Sequence, residues 1–447
     1  MTLDKLNRYK FNLPLIILSL VPYSFIIGPL FLEIVASCIS IYFLFSAFKK
    51  KNFNLIKNNL IYFFILFYLY ILFRSIFSFD PVFSLKSSFF YFRFIFFVLG
   101  ILLIITQYNN AEKLLLKNSF ISVILVFSGV IFEYLYYSKF SPYYNKDYVR
   151  FFSLFINEPI PGSYMSRMLP FAILGYFCFF KKIDTKLNYK NLLSIFLLAS
   201  VVISIYITGE RTSFFYSIFI LFILIIFSNL KIMFKLLVLG FFFLLFFAVN
   251  TFDDRVNKRM ISFSKNQIFG ENNSTFILDN DLNNKDQITI DLQKEREAKA
   301  NKFPGFSPEH KRHYYSAYLM FRDNIFFGQG PRTFRKLCQK ESFFVPGACT
   351  THPHNTILQI LSELGLIGLI FYIIILIFII KFYLYLLIKK YFYFKSLDKN
   401  ENINIFYYCA LSISFFPFIT AGNFFNNWLS YLYFLPIAFI LKRSKKF

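Results

Sequence analysis

Long runs of apolar residues fill most of this 447-residue chain, and they constrain its fold more than any other feature. Almost everything from Phe11 to Phe252, and again from Asn355 to Leu441, belongs to such runs, which short basic connections separate. About 20 apolar residues are enough to cross the hydrocarbon core of a bilayer. Because no water is available there, each run has to satisfy its backbone polar groups internally, as a helix. The sequence therefore predicts an all-α polytopic membrane protein.

The lengths of the apolar runs predict about twelve transmembrane helices. The expected architecture is a bundle of about nine spans at 1–252, a large and partly helical polar loop at 253–353, and about three further spans at 354–447. The predicted spans cover residues 12–29, 31–48, 58–77, 88–106, 117–137, 164–180, 191–208, 212–229, 232–251, 364–386, 404–421 and 425–441.

The formal net charge of +24 is distributed in a way that argues against nucleic-acid binding. The lysines form clusters between the apolar runs, such as Lys49 to Lys51 and Lys442 to Lys446, and these clusters fall in every second connection. Cytoplasmic loops of polytopic proteins carry such an excess of Lys and Arg. We therefore expect membrane lipids, not nucleic acid, around the protein. We also expect both termini in the cytoplasm, and the loop 253–353 on the outer face with a smaller loop at 137–162.

Charged side chains within spans are costly, and they mark either functional sites or anchors at the membrane surface. We interpret Glu33 and Arg74 as anchors that reach the lipid headgroups. Arg211 differs, because it lies in a tight polar connection between two apolar runs, and its planar fork suits phosphate. Under the predicted topology, the charges that we assign to outer halves of spans are Glu33, Arg74, Arg93, Glu133, Glu210 and Arg211.

All four histidines of the chain lie in the large polar loop. His354 stands where this loop gives way to an apolar run, directly after Pro353, which favours the start of a helix. An imidazole at this junction can accept a proton near neutral pH. His352 and His354 could also bind a metal as a pair. Two ligands without a nearby carboxylate or cysteine cluster make a poor site, so we expect no metal.

The residues that follow resemble the signature of the bacterial O-antigen ligase and O-antigen polymerase family. In that signature a His is followed by Asn, Ser or Gln, then by Leu three residues later, and then by Gly after six more. His354, Asn355, Leu358 and Gly365 meet these positions.

Two further features of the family resemble segments of this chain. The first is an aromatic-Ala helix that leads into a Gly-x-Gly turn, similar to Tyr315-Ser316-Ala317 followed by Gly328-Gln329-Gly330. The second is an Arg followed by small or hydroxyl residues, similar to Arg211-Thr212-Ser213. The number of predicted spans and the position of the polar loop before the last few spans also fit.

The resemblance implies a GT-C-like glycosyltransferase that acts at the periplasmic face of the bacterial inner membrane. Its donor is a glycan on undecaprenyl pyrophosphate, and its acceptor is a sugar hydroxyl of the lipid A core or of a growing glycan. The implied mechanism is an inverting transfer without metal or cofactor, in which a His activates the acceptor hydroxyl and arginines hold the pyrophosphate. Carried over to this sequence, His354 is the base and Arg211 is the first pyrophosphate ligand.

The second pyrophosphate ligand is less sharply indicated. The family tends to place it just before the aromatic-Ala helix, where this chain has His310-Lys311-Arg312-His313. We assign Arg312, because a fixed planar cation suits the leaving group. Lys311 or His313 could take this role instead.

Other polar residues receive supporting or structural assignments. Asn355 follows the proposed base, and Arg93 is one of the charges in outer halves of spans, so both are assigned supporting roles. Three arginines in or near the loop are interpreted as solvated surface residues: Arg322, Arg332 and Arg335.

Two of the five cysteines, Cys338 and Cys349, lie close together in the polar loop. An outer loop of a bacterial membrane protein faces an oxidising compartment. The sequence therefore predicts a disulfide that closes a small subloop just before His354.

Three functions within the family remain open: O-antigen ligase, which we favour, O-antigen polymerase and protein O-glycan transferase. A flippase or other transporter of lipid-linked glycans is an alternative from a different class. It would predict charges near the membrane midplane and internal repeats, and we see neither.

Overall fold

Helices form most of the described part of the chain. The computed structural model describes residues 12–51, 53–140, 150–156, 158–180, 189–227, 231–262, 264–265, 287–304 and 307–444. Within these residues, the β-type pairing is limited to an isolated antiparallel bridge between Asn355 and Thr420. The predicted all-α fold class is therefore confirmed.

A helix occurs at each of the predicted spans. The helices are α1 (Leu13–Ile27), α2 (Pro29–Lys49), α3 (Asn59–Ile76), α4 (Pro81–Ser88), α5 (Arg93–Gln107), α6 (Ala111–Phe140), α7 (Pro161–Phe180), α8 (Tyr189–Ile207), α9 (Arg211–Phe227), α10 (Ile232–Phe252), α11 (Asp254–Asn257), α12 (Gln287–Lys302), α13 (Pro308–Asp323), α14 (Phe334–Leu337), α15 (Thr356–Leu387), α16 (Lys399–Ser414) and α17 (Asn427–Ser444).

Six of these segments are long and apolar enough to cross a membrane by themselves: α2, α3, α4 with α5, α6, α10 and α15. Helices α1 and α9 and the second half of α8 are shorter apolar helices. They pack side by side, with α6 on α7, α2 between α1 and α5, and α17 against α5 and α16. The apolar side chains of this bundle form one continuous core.

Local sequence signals explain where several helices begin. Gly28, with φ 139°, separates α1 from α2, and Pro29 occupies the first turn of α2, where no backbone N–H is required. The side chain of Asp80 accepts a hydrogen bond from Phe83 N (2.9 Å) and caps α4. Asp398 and Glu401 form a capping box at α16.

The predicted span 404–421 was wrong at its end. Helix α16 stops at Ser414, and residues 415–426 form a loop before α17. Pro417 explains the difference, because proline has no N–H to continue the ladder and disfavours the helical conformation of the preceding residue. The loop looked like a span because it is apolar, and its Phe424 and Phe425 are indeed buried in the core.

Arg74 is not the anchor that we expected. It is 5 % exposed, and its Nε and Nη2 atoms donate hydrogen bonds to the carbonyl oxygens of Phe327 and Gly328, both at 2.8 Å. The arginine therefore holds a turn of the polar loop against α3 rather than reaching the lipid headgroups.

The other charged residues that we assigned to outer halves of spans also have partners within the protein. Glu33 forms an ion pair with Arg93 (3.2 Å) and accepts a hydrogen bond from the Tyr431 hydroxyl (2.8 Å). Glu133 accepts hydrogen bonds from the backbone N–H groups of Phe152 (2.9 Å) and Ser153 (2.7 Å). These contacts give the charges a structural use, since they fasten helices and loops at one end of the bundle.

A second polar layer lies at the other end of α17. There Glu112 at the start of α6 is paired with Lys442 (2.9 Å) and with Arg443. Lys446, in the same basic cluster, lies outside the described residues. Tyr431 and Arg443 lie near opposite ends of α17. The end near Arg443 is rich in lysine, and the end near Tyr431 is the one that carries the polar loop.

The polar loop has two small hydrophobic clusters of its own. One joins Ala317 and Met320 of α13 to Phe334, Leu337 and Cys338. The other contains Ala300, Tyr315, Val345 and Ala348. Through these clusters α13 packs on α12 and on the segment before His354, and it also contacts α15. The described part of the loop is thus folded onto the first turns of α15.

Candidate active site

Two glycine motifs of the sequence meet at one backbone crossing. Helix α15 is interrupted at Gly365, whose φ is 66° and ψ is −163°. The Gly-x-Gly turn lies across this break: Gln329 N donates to Ser362 O and Gly330 N donates to Glu363 O, both at 2.8 Å. The carbonyl groups that the break leaves without intrahelical partners are thereby satisfied.

Both sides of this crossing require glycine. A Cβ atom at Gly365 would overlap the carbonyl group of Phe326, and one at Gly328 would lie 2.5 Å from the carbonyl carbon of Glu363. Gly328 also has a positive φ of 66°, which side chains disfavour. The two motifs are therefore halves of a single unit, which fixes the polar loop to the helix that follows His354.

A buried polar network stiffens the first turns of α15. Glu363 is fully buried and accepts hydrogen bonds from Phe334 N (3.3 Å) and from Gln359 Nε2 (3.1 Å). The side-chain amide oxygen of Gln359, Oε1, in turn accepts from Phe424 N (2.9 Å). The helix α14 and the loop 415–426 are thus both attached to the same turn of α15.

His354 has an unusual backbone conformation. Its φ is 57°, in the left-handed region that costs a non-glycine residue about 1–3 kcal/mol. The surroundings impose it: the carbonyl oxygen of His354 accepts a hydrogen bond from Ala421 N (2.9 Å), and the Asn355 side chain caps α15 by accepting from Leu358 N (3.0 Å). Strain of this kind is held where a side chain must point in a set direction.

The four histidines of the chain form one cluster, which we call the histidine cluster (His310, His313, His352 and His354). The ring of His354 lies at its centre, with centroid distances of 4.1 Å to His352, 5.5 Å to His313 and 5.7 Å to His310. The spacing of three between His310 and His313 puts both on one face of α13. The sequence contained this signal, but it did not tell which element that face would meet.

Hydrogen bonds fix three of the rings. His310 Nδ1 lies 2.8 Å from the Ser307 hydroxyl. His313 Nδ1 lies 2.7 Å from Ala348 O, and His352 Nε2 lies 3.1 Å from Ala421 O. A carbonyl oxygen can only accept, so each of these nitrogens donates its hydrogen. His354 is different: it is partly exposed, and within the described residues its ring has no hydrogen-bond partner. Its nitrogens are therefore available to a substrate.

The histidine cluster is neutral at physiological pH. Burial, followed by the mutual effect of the neighbouring imidazoles, lowers the pKa of His354 to about 3. Burial also lowers the pKa of His310 and of His352 to about 4. The neutral His354 can accept a proton. An anion bound beside it would raise its pKa and make it a stronger base.

Arg211 is tied to the same site. It begins α9, and the next residue, Thr212, shares a hydrogen bond of 2.9 Å with the Thr420 hydroxyl. Thr420 forms the β-bridge with Asn355. The charge of Arg211 contributes to the lowered pKa of His310, and its Nη1 donates to Ser264 Oγ (3.3 Å). The polar connection that contains Arg211 is thus attached to the segment that carries His354 and Asn355.

The connection before α9 is itself held rigidly. The carboxylate of Glu210 accepts hydrogen bonds from Gly162 N (2.7 Å) and from Ser213 Oγ (3.0 Å). Arg259 Nε donates to the carbonyl oxygen of Gly209 (3.0 Å). Glu210 therefore fixes the backbone that carries Arg211, and none of these contacts is with the histidine cluster.

The candidates for the second cation have partners within the loop. Arg312 is 1 % exposed, and its Nη2 is paired with Glu297 Oε1 at 3.2 Å. Lys311 Nζ donates to Asn301 O (3.2 Å). Arg93, which we assigned a supporting role, begins α5 and pairs with Glu33 in the first turns of α2. It also lies over the ring of Phe94, and neither contact involves the histidine cluster.

Three arginines were missed or misread in the sequence. Arg332 and Arg335 are not freely solvated: both are partly buried, and their Nε atoms are inaccessible. Burial lowers the pKa of His352, and the charge of Arg335 contributes to this shift. Arg322, in contrast, is exposed as expected.

Arg167 was overlooked within the predicted span 164–180. It is 7 % exposed, stacks on the Tyr216 ring at 5.1 Å and donates to Ser163 Oγ (2.6 Å).

Cys338 and Cys349 are joined by a disulfide, with Cα atoms 5.2 Å apart. The bond closes the subloop that ends just before Thr351 and His352. Ala348, next to Cys349, supplies the carbonyl oxygen that accepts from His313. The disulfide therefore restrains one wall of the histidine cluster. Among the described residues, no group of three or more His, Cys, Asp or Glu side chains is placed to hold a metal ion.

Comparison with known proteins gives one match. Residues 194–373 match the model of the family described as O-antigen ligase. No curated protein and no solved structure matches the chain. The matched range includes Arg211, the histidine cluster, the Gly-x-Gly turn and Gly365. The resemblance seen in the sequence is thereby confirmed: the chain carries an O-antigen ligase family domain over residues 194–373.

Proposed function

We propose that the protein is an O-antigen ligase, which moves a glycan from undecaprenyl pyrophosphate to a sugar hydroxyl of the lipid A core. The observation that carries this proposal is the placement of His354. It is a neutral, partly exposed imidazole with unbonded ring nitrogens in a strained conformation, and the Thr212–Thr420 hydrogen bond ties the helix that Arg211 begins to the segment that carries it. The family match supports a glycan-transferring enzyme in general.

In the proposed reaction, the acceptor hydroxyl oxygen attacks the anomeric carbon of the donor sugar. The bond from that carbon to the pyrophosphate oxygen breaks, and the electron pair leaves with undecaprenyl pyrophosphate. The hydroxyl proton passes to His354. Attack from the face opposite the leaving group inverts the anomeric configuration. One well-placed base of this kind contributes about 10²–10⁴-fold to the rate.

The electrostatics of the histidine cluster favour this order of events. Before substrate binds, burial keeps His354 neutral. The pyrophosphate of the donor, bound at Arg211, brings negative charge close to the imidazole and raises its affinity for a proton. The same guanidinium stabilises the charge that develops on the leaving group. No metal is needed for these steps.

Arg312 is the second pyrophosphate ligand of the proposal. It lies on α13 with His310 and His313, and its Nη2 atom forms an ion pair with Glu297. Direct binding of pyrophosphate requires this ion pair to open. Removing one partner of a buried pair leaves the other charge uncompensated, and an incoming anion would restore the balance. This exchange makes Glu297 a sensitive test of the role of Arg312.

The proposed orientation places the polar loop and the histidine cluster in the periplasm. It follows from the lysine pattern. The separation of the two polar layers along α17 is consistent with it, because the lysine-rich layer and the histidine cluster lie at opposite ends of the bundle. In this orientation the transferred glycan meets its acceptor at the outer face of the inner membrane.

The His354→Asn variant tests the proposal in cells. Asparagine tolerates a positive φ better than most residues, so the backbone is preserved while the base is lost. A deletion strain that expresses this variant should carry lipopolysaccharide without glycan on its core, and the lipid-linked donor should accumulate. A single repeat on the core would instead identify a polymerase. A transporter should be insensitive to this change, so normal glycan on the core would refute the transferase.

A further inference from the structure

The arginines that the sequence left as surface residues, Arg332 and Arg335, form a clamped pair beside the histidine cluster. Arg332 has a positive φ of 61°, and it follows Gly330, with φ 110°. The carbonyl oxygen of Pro331 accepts a hydrogen bond from Ser84 Oγ (2.8 Å), and that of Gly330 accepts from Thr333 Oγ1 (2.7 Å). The backbone is therefore fixed on both sides of a strained, non-glycine residue. Such positions concentrate at ligand clamps.

The protein around the two guanidinium groups compensates their charge only in part. Across the described ranges, neither side chain has a hydrogen-bond or ion-pair partner, and the Nε atom of each is buried. The carboxylate whose charge acts on Arg332 is Glu363, and its oxygens accept from Phe334 N and Gln359. Burial and the neighbouring charge of Arg335 lower the pKa of Arg332. Two like charges are thus held together at a cost that an anion would remove.

The pair and Arg211 belong to different segments around the histidine cluster: Arg335 lies three residues before Cys338, which is bonded to Cys349 in the segment that leads to His352, whereas Arg211 begins α9. The charge of Arg335 acts on His352, whose ring is 4.1 Å from that of His354. The charge of Arg211 acts on His310, whose ring is 5.7 Å from that of His354. Positive charge therefore flanks the proposed base at two separate imidazoles, and one pyrophosphate at Arg211 leaves the second position unused.

We propose that Arg332 and Arg335 form an anion-binding subsite for a phosphate or carboxylate group of the acceptor glycan. Two planar forks can bind such an oxyanion with several parallel hydrogen bonds. The assignment to the acceptor rests on the proposed function, in which Arg211 and Arg312 hold the donor. The subsite would orient the acceptor so that its hydroxyl lies against His354.

Binding of inorganic phosphate to the purified full-length protein tests the subsite without turnover. In an Arg211→Gln background, phosphate should still raise the thermal midpoint, and this increase should disappear in the Arg211→Gln/Arg332→Gln/Arg335→Gln variant. Arg211→Gln/Arg322→Gln is the control, because Arg322 is an exposed loop arginine with the same charge. If phosphate stabilises all three variants equally, the subsite does not exist. Loss of the increase in the Arg322 control as well would equally overturn it.

Transfer assays with matched acceptors then identify the source of the anion. With a phosphorylated acceptor, Arg332→Gln/Arg335→Gln should raise the acceptor KM about tenfold or more, since hydrogen bonds to charged groups contribute that much. The KM for the dephosphorylated acceptor and for the donor should stay unchanged, and Arg335→Lys should restore part of the effect. A raised donor KM would overturn the acceptor assignment. If the wild type transfers no glycan while phosphate binding persists, the proposed function fails and the anion site stands.

Discussion

The break in α15 offers a direct test of how the polar loop is fixed to the membrane bundle. Gly365 combines φ 66° with ψ −163°, a region that is essentially restricted to glycine. A Gly365→Ala change introduces a Cβ atom that overlaps the Phe326 carbonyl group. The turn at Gly328 to Gly330 must then withdraw, and the two hydrogen bonds to Ser362 O and Glu363 O are lost.

The expected destabilisation follows from these parts. The forced backbone conformation costs about 1–3 kcal/mol. Each lost hydrogen bond contributes about 1 kcal/mol. Gly365→Ala should therefore destabilise the folded protein by about 3–5 kcal/mol. Because the same turn supports the helix that follows His354, transfer activity should fall together with stability.

Thermal unfolding of the purified protein in detergent measures this effect. Gly240→Ala in α10 is the matched control, because no atom lies within 4 Å of the added Cβ. Replacing a helical glycine by alanine should leave stability unchanged or raise it by up to about 1 kcal/mol. Equal unfolding temperatures for Gly365→Ala and Gly240→Ala would show that the crossing at Gly365 does not require glycine.

Three further predictions follow from the loop. If Arg312 contacts pyrophosphate directly, the Glu297→Gln variant should bind the donor as well as the wild type or better, as measured by the donor KM. If Glu297→Gln and Arg312→Gln weaken donor binding equally, the Arg312–Glu297 ion pair has a purely structural role. The histidine cluster has lowered pKa values, so its contribution to stability is fully present above the unfolded-state pKa of about 6.5 and decreases as the pH falls toward 4. The thermal midpoint should therefore fall between pH 7.5 and 4.5, and it should fall less steeply in the His352→Gln variant. Equal slopes would show that the cluster is solvated. Cys338→Ser should expose the Cys349 thiol to maleimide without reductant and cost about 2–3 kcal/mol; equal labelling of the wild type would exclude the disulfide.

The membrane helices could be predicted from the sequence because each apolar run carries its own signal. Length and hydropathy act locally, so the runs located the twelve helical segments to within a few residues at most ends. Predictions failed where a local property had a non-local use. Pro417 ended α16 inside an apolar stretch, and that stretch then folded inward to supply Ala421 to the backbone of His354.

The candidate site was only partly visible for the same reason. The spacing of His354, Asn355, Leu358 and Gly365 is a local pattern, and it identified the family. The convergence of the other histidines on His354 depends on how α13 packs on α15, which no spacing encodes. Arg332 looked like a surface residue in the sequence. Its partial burial depends on the Gly-x-Gly turn, which packs against α15 where Gly365 interrupts that helix.

Glycan transfer by the purified His354→Asn variant tests the catalytic role of His354 most directly. It uses the wild-type protein, a lipid-linked glycan donor and a lipid A core acceptor, with Arg322→Gln as a control for charge and handling. We predict that the variant folds with an unchanged thermal midpoint, still binds donor, and transfers glycan about 10²–10⁴ times more slowly than wild type. Transfer at the wild-type rate by a folded His354→Asn protein would contradict the role of this imidazole as the base.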